Sequence, residues 1–143
     1  MADHFNMPDK LKSPRLSVKL LTRARLYTQL DQCLTSDVTI VVAPAGFGKS
    51  VLLSGWAAQR SQPTAWLSLD ASDNDLPIFV RDIALALETL YPDGCRATLS
   101  LANALYPPSM TQLADSLLAE IGDLPADLVL VLDDCHVVRN LQA

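Results

Sequence analysis

The chain has 143 residues, half of them apolar and 19% charged, and eleven basic against sixteen acidic side chains give a formal charge of -5. A domain of this length buries roughly two thirds of its unfolded surface. The acidic balance argues against a nucleic-acid site built from this segment alone, which would show as a basic patch, and leaves open a basic region elsewhere in a longer protein.

Three scattered cysteines, Cys33, Cys95 and Cys135, form no C-x-x-C pair and read as reduced thiols. The opening stretch MADHFNMPDKLKSPR has no apolar core of signal-peptide length. The runs VTIVVA and LVLVL are too short to span a bilayer. A soluble, cytoplasmic protein without a membrane partner is expected.

In chain order, residues 1–13 are polar and aperiodic and read as a flexible leader. A helix is expected from Thr22, its N-cap, with Leu26, Leu30 and Cys33/Leu34 at helical spacing. VTIVVA (38–43) is β-branched without alternation, the pattern of a strand covered on both faces. A second helix follows over 49–59, then a strand over 63–69, where Pro63 is tolerable at the first position. After the polar loop DASDND, a helix over 76–91 repeats Leu76, Phe79, Ile83, Leu87 and Leu90, and PDGC breaks it.

A looser stretch leads to YPPS. Ser109 then caps a helix with Leu113, Leu117 and Ile121 on one face and Gly122 as its stop. LVLVL (128–132) is the third buried strand, ending in Asp133 and Asp134. Uniformly apolar strands alternating with helices predict an α/β protein with a parallel sheet.

The stretch VVAPAGFGKS carries the clearest chemistry. A phosphate needs donors, and a helix N-terminus offers unpaired backbone N–H groups and the positive end of a dipole. Gly46 and Gly48 allow the chain to curl around the anion. Lys49 reaches the β and γ phosphates and the Ser50 hydroxyl ligates magnesium.

The strict pattern G-x-x-x-x-G-K-[ST] begins here with Ala43, so the loop is A-x-x-x-x-G-K-S. Even loosened, it arises by chance in a chain this long on the order of one time in a hundred. A bare glycine-rich turn is the alternative, and such a turn has no need of Lys-Ser after it.

Magnesium prefers carboxylate oxygen, and P-loop NTPases take it from an acid that ends an apolar strand. Asp133 fills that position, and Asp134 is the candidate to orient or deprotonate an attacking water. Solvated turn acids are the competing reading of that pair. Both motifs fall at the carboxyl ends of strands, where such sheets bind ligands.

LLTRARLYTQLD, VVAPAGFGKSVLLSGWAAQ, AWLSLDASDND and LVLVLDDCH resemble the start of the MalT-like regulators of the LuxR family, STAND-class signal-transduction ATPases, from about Pro14 to Val138. The resemblance implies a P-loop NTPase three-layer sandwich, incomplete here with about three strands, in which residues 14–143 form the first part of a STAND/AAA+-like domain. It implies ATP and Mg2+ as cofactors, with residues Ala43, Pro44, Ala45, Gly46, Phe47, Gly48, Lys49, Ser50 and Val51 around the nucleotide.

On the same resemblance, Ser50 and Asp133 hold the metal, and Asp134 and Lys49 serve hydrolysis. Arg23 and Arg25 match a basic motif near the nucleotide, a solvated helix face being the alternative. Such proteins act as ATP-dependent switches that self-associate, answer a small-molecule or protein inducer, and bind DNA through a helix-turn-helix in regions absent from this chain.

Cys135 stands where the family commonly has an aromatic residue. In related ATPases a later strand lies between the P-loop strand and the Walker B strand. The expectation is therefore a fragment with weak or lost hydrolysis, in which each part leaves an unpaired edge and exposed apolar surface.

A small P-loop kinase is the alternative function. It is disfavoured because the stretch from Asp70 to Leu124 holds only Arg81 and Arg96 as arginines. A GTPase would need Asp-x-x-Gly where this chain has DDCH. Trp56 and Trp66 read as core, and His136 beside Cys135 lacks a second cluster for a metal. Asp70, Asp73 and Asp75 read chiefly as solvated loop acids, with Asp70 near magnesium-bound water as the functional alternative. Asp75 is a candidate helix cap with Pro77 in the first turn.

Overall fold

Two parallel strands and five helices make up the regular structure among the described residues. The computed structural model describes residues 9–14, 23–36, 38–44, 46, 48–106 and 108–139. The chain divides into two compact units, residues 13–63 and residues 1–12 with 64–143.

In the unit 13–63, α1 (Ala24–Leu30) runs into a 3₁₀ turn (Asp31–Thr35), and α2 (Lys49–Ala58) follows the glycine loop. The expected N-cap Thr22 lies outside the described residues. Arg23 holds the cap position and makes no side-chain capping bond. Tyr27, Leu30 and Trp56 are buried. Tyr27 packs its hydroxyl against Gly55, where a Cβ would collide with it. The Trp56 indole donates to Asp31 Oδ1 at 2.9 Å, and Arg60 Nε donates to the same oxygen at 2.6 Å.

Residues 38–43 do not form the expected first strand. A β-branched run favours extended backbone, but a strand exists only through a ladder of bonds to a neighbour. Among the described residues the sheet holds two strands, paired with one another. Val38, Ile40 and Val42 are instead 79%, 80% and 85% exposed, a large apolar surface of the kind expected for an unpaired edge.

In the other unit, β1 (Thr64–Ser68) and β2 (Val129–Asp133) pair in parallel, with Thr64 opposite Val129 and Ser68 opposite Asp133. The Leu69 N–H extends the ladder to the Asp133 carbonyl at 2.9 Å. Around them pack α3 (Leu76–Glu88), α4 (Arg96–Ala102) and α5 (Met110–Gly122). The core joins Ala65, Leu67 and Leu69 of the β1 segment to Val80, Ala84 and Leu87 of α3 and to Leu113 and Leu117 of α5.

On α3 the buried apolar residues are Val80, Ala84, Ala86 and Leu87, while Phe79, Ile83 and Leu90 pack beside them and Leu76 is exposed. Helix α4 lies within the stretch expected to be loose. Its cap residue Cys95 makes no side-chain bond. Its first amides are instead met by Glu120 of α5, from Ala97 at 2.7 Å and Thr98 at 3.1 Å.

Ser109 caps α5 as expected, in a reciprocal capping box with Gln112. Residues 9–11, within the expected leader, form a 3₁₀ turn whose Leu11 is buried in the core.

Candidate functional site

The loop before α2 curls through two left-handed residues, Gly46 (φ 85°) and Gly48 (φ 75°). A side chain at either position would meet open space, so it is the backbone conformation that calls for glycine there. Gly48 is the cap residue of α2, and its carbonyl accepts the Leu52 N–H at 2.9 Å. The helix thus opens directly behind a left-handed glycine, and the N–H groups of a first helical turn are those an anion cradle uses.

Lys49 opens α2 and donates to the Ala43 carbonyl at 2.7 Å, closing the loop from its first position to its seventh. Ser50 is half-buried, Val51 and Pro44 are exposed, and Ala45 and Phe47 lie outside the described residues. Arg23 and Arg25 are exposed at the start of α1. The left-handed glycines, the open room beside them and the adjacent ammonium suit an anion.

The acidic end of β2 belongs to the other unit. Asp133 is the last strand residue and lies opposite Ser68. Asp134 follows in the left-handed region (φ 59°) and donates its N–H to Asp133 Oδ1 at 2.9 Å, leaving its own carboxylate exposed. The Cys135 thiol donates to the Leu132 carbonyl at 3.3 Å, and burial followed by Asp133 and Asp134 pushes its pKa up. His136 is exposed. Among the described residues no three His, Cys, Asp or Glu side chains converge as a metal site.

Of the acids after β1, Asp70 and Asp75 are exposed as expected, whereas Asp73 is buried. Asp70 accepts from Ser72 and caps a 3₁₀ turn (Ala71–Asn74), and Asp73 completes the capping box while fully buried. Its Oδ2 takes the Asp70 N–H at 2.8 Å. Lys10 Nζ then contacts Asp70 at 3.1 Å, Asp73 at 3.0 Å and Asp82 at 2.6 Å. Asp75 occupies the cap position of α3 without a side-chain capping bond, with Pro77 in the first turn.

Nothing in the sequence marked Lys10, because its partners stand 60 to 72 positions away. Asn74 was missed likewise. It donates to the Val137 carbonyl at 3.0 Å and accepts from the Arg139 amide at 2.7 Å, pinning the chain after β2.

Curated relatives add an independent line of observation. The chain is 30% identical over 134 residues to the HTH-type transcriptional regulator MalT of Klebsiella pneumoniae subsp. pneumoniae, covering 94% of this chain and 15% of that protein. The same identity and coverage hold for the MalT proteins of Yersinia pestis and Yersinia pseudotuberculosis. The chain thus spans about 15% of the length of the curated relatives it matches. No protein-family profile matches it. No helix among the described residues is long and apolar enough to cross a membrane.

Proposed function

We propose that this chain is the ATP-binding switch module of a MalT-like, ATP-dependent transcriptional regulator, built on a P-loop fold. The observation that carries the reading is the loop 43–50, with Gly46 and Gly48 left-handed immediately before a helix that opens on Lys49 and Ser50. Similarity to MalT over nearly the whole chain supports the regulatory context.

In this reading the amides from Gly46 to Val51 bind the phosphates, and Lys49 exchanges the Ala43 carbonyl for phosphate oxygens. Ser50 would hold magnesium beside these phosphates. When bound, the nucleotide and its metal supply a cleavable phosphoanhydride and the charge that organises the site. Arg23 and Arg25, exposed at the start of α1, would be available to contact the nucleotide. DNA binding, inducer recognition and nucleotide-dependent self-association belong to the longer protein.

The test is magnesium-dependent binding of a fluorescent ATP analogue, compared with GTP. Lys49→Ala removes charge-assisted hydrogen bonds and should weaken binding about 10- to 100-fold. Equal binding by wild type and variant defeats the proposal.

A further inference from the structure

Within the unit 13–63, two contacts fix the sense in which α1 and α2 lie side by side. The Tyr27 hydroxyl of α1 fills the place of a Cβ on Gly55 of α2. One turn further along the chain, Asp31 Oδ1 takes the Trp56 indole N–H at 2.9 Å and the Arg60 Nε–H at 2.6 Å. The Arg60 guanidinium also stands over the Trp56 ring, 5.8 Å from its centroid. The partners advance from Gly55 to Arg60 as the first helix advances from Tyr27 to Asp31, so the two helices run in the same direction. Their opening ends therefore lie at one end of the pair, where α2 begins with Lys49 and Ser50 behind the two left-handed glycines.

The helical repeat then separates the two arginines at the start of α1. Arg23 precedes Tyr27 by four residues, and its carbonyl accepts the Tyr27 N–H at 3.0 Å. The two thus share the side of α1 that meets α2. Arg25 precedes Tyr27 by two residues, which turns it about 200° around the axis and away from α2. Both arginines are exposed, so register, rather than burial, tells them apart.

We propose that Arg23, and not Arg25, is the cation that α1 presents to the anion at the glycine loop, held in place by the knot of Asp31, Trp56 and Arg60. Helix α1 has only seven residues, too few to keep a direction by itself. Its aim is set by its ties to α2, Tyr27 within the helix and Asp31 at its end. Asp31 is accordingly a positioning residue that touches no anion and acts through the placement of Arg23. The inference rests on the ATP-binding reading above, whose triphosphate is the anion concerned.

Titration calorimetry with inorganic tripolyphosphate tests the choice between the arginines. Arg23→Gln should weaken binding about three- to tenfold and leave the urea midpoint unchanged, while Arg25→Gln should stay within about twofold of wild type. Equal effects of the two variants, or none from Arg23→Gln, overturn the assignment. A midpoint that falls in step with the affinity overturns it too, by making Arg23 a structural residue.

Asp31→Ala tests the knot. It should weaken binding about threefold in the wild-type background and add almost nothing to Arg23→Gln, since both act on one contact. A loss that persists undiminished beside Arg23→Gln overturns the positioning role. Should Asp31→Ala fail to fold, Arg60→Gln loosens the same knot and is read in the same way. A fluorescent ATP analogue with magnesium is then titrated on the same proteins. Wild type that binds tripolyphosphate but not the analogue defeats the ATP reading while the comparison of Arg23 with Arg25 still stands; wild type that binds neither overturns both.

Discussion

The hydroxyl of Tyr27 occupies the space that a Cβ on Gly55 would need, so α1 and α2 meet at a point where only glycine fits. A mid-helix glycine normally costs about 1 kcal/mol against alanine. Here that cost is offset by the approach of a buried aromatic ring. Gly55→Ala should therefore destabilise by about 1–3 kcal/mol despite its better helix propensity. Tyr27→Phe, which removes the obstructing oxygen, should recover part of the loss. A double-mutant cycle by urea unfolding measures the coupling, and strictly additive effects would contradict the contact.

Gly48 presents the opposite case, because its neighbourhood is open and only its backbone angle is special. Gly48→Ala should cost about 1–2 kcal/mol from left-handed strain alone. The chain can escape that strain by reshaping the loop, so the affinity for a fluorescent ATP analogue should fall more than the unfolding midpoint suggests. Retention of both properties would show that the curl is dispensable.

Glu120 caps a helix other than its own. Its carboxylate takes the Ala97 and Thr98 amides and the Thr98 hydroxyl at 2.6 Å, and Thr98 is fully buried. Glu120→Ala should destabilise by about 2 kcal/mol, with Glu120→Gln milder because one acceptor survives. Amide exchange over α4 should rise before that of α5.

Stability should plateau near neutral pH and fall on both sides. The Asp70 carboxyl is held below its ordinary value of 3.8, first by Ser72 and then by Lys10, with burial opposing. Its contribution is whole above that value and drains as pH falls through the depressed one. Burial opposes the charge on Lys10, but bonds to Asp82, Asp73 and Asp70 raise its pKa above 10.5. That share is complete below 10.5 and is lost only as pH climbs through the raised value.

Burial, then Glu120 and Glu88, push the Cys95 thiol up to about 11, so its share is complete below 9.0 and drains as pH rises through about 11. Cys33 and Cys135 are raised from 9.0 as well, so urea midpoints should fall from about there, and Cys95→Ala should make the alkaline limb shallower. An alkaline limb of unchanged steepness in Cys95→Ala would contradict the assignment.

Several elements were legible because their determinants lie within a few residues of one another. Ser109 announces the start of α5, Asp75 and Pro77 the start of α3, and the apolar runs around Trp66 and Val131 the two strands. Gly46 and Gly48 likewise announced a turn that only glycine adopts easily, and both have positive φ. Residues 38–43 read as a strand because β-branching reports local preference and says nothing about whether a neighbour is there to pair. Helix α4 was invisible because its capping acid comes from a different helix.

The sequence by itself determined where helices start, which runs are apolar enough for strands, and where the chain must turn left-handed, since capping, periodicity and φ preference act over a few bonds. Tertiary structure alone decided that Val38, Ile40 and Val42 stay exposed, that Asp73 is buried rather than solvated, and that Lys10 gathers three distant carboxylates. Ladder partners and counter-charges are set by packing across dozens of residues, and no local pattern encodes which distant group will arrive.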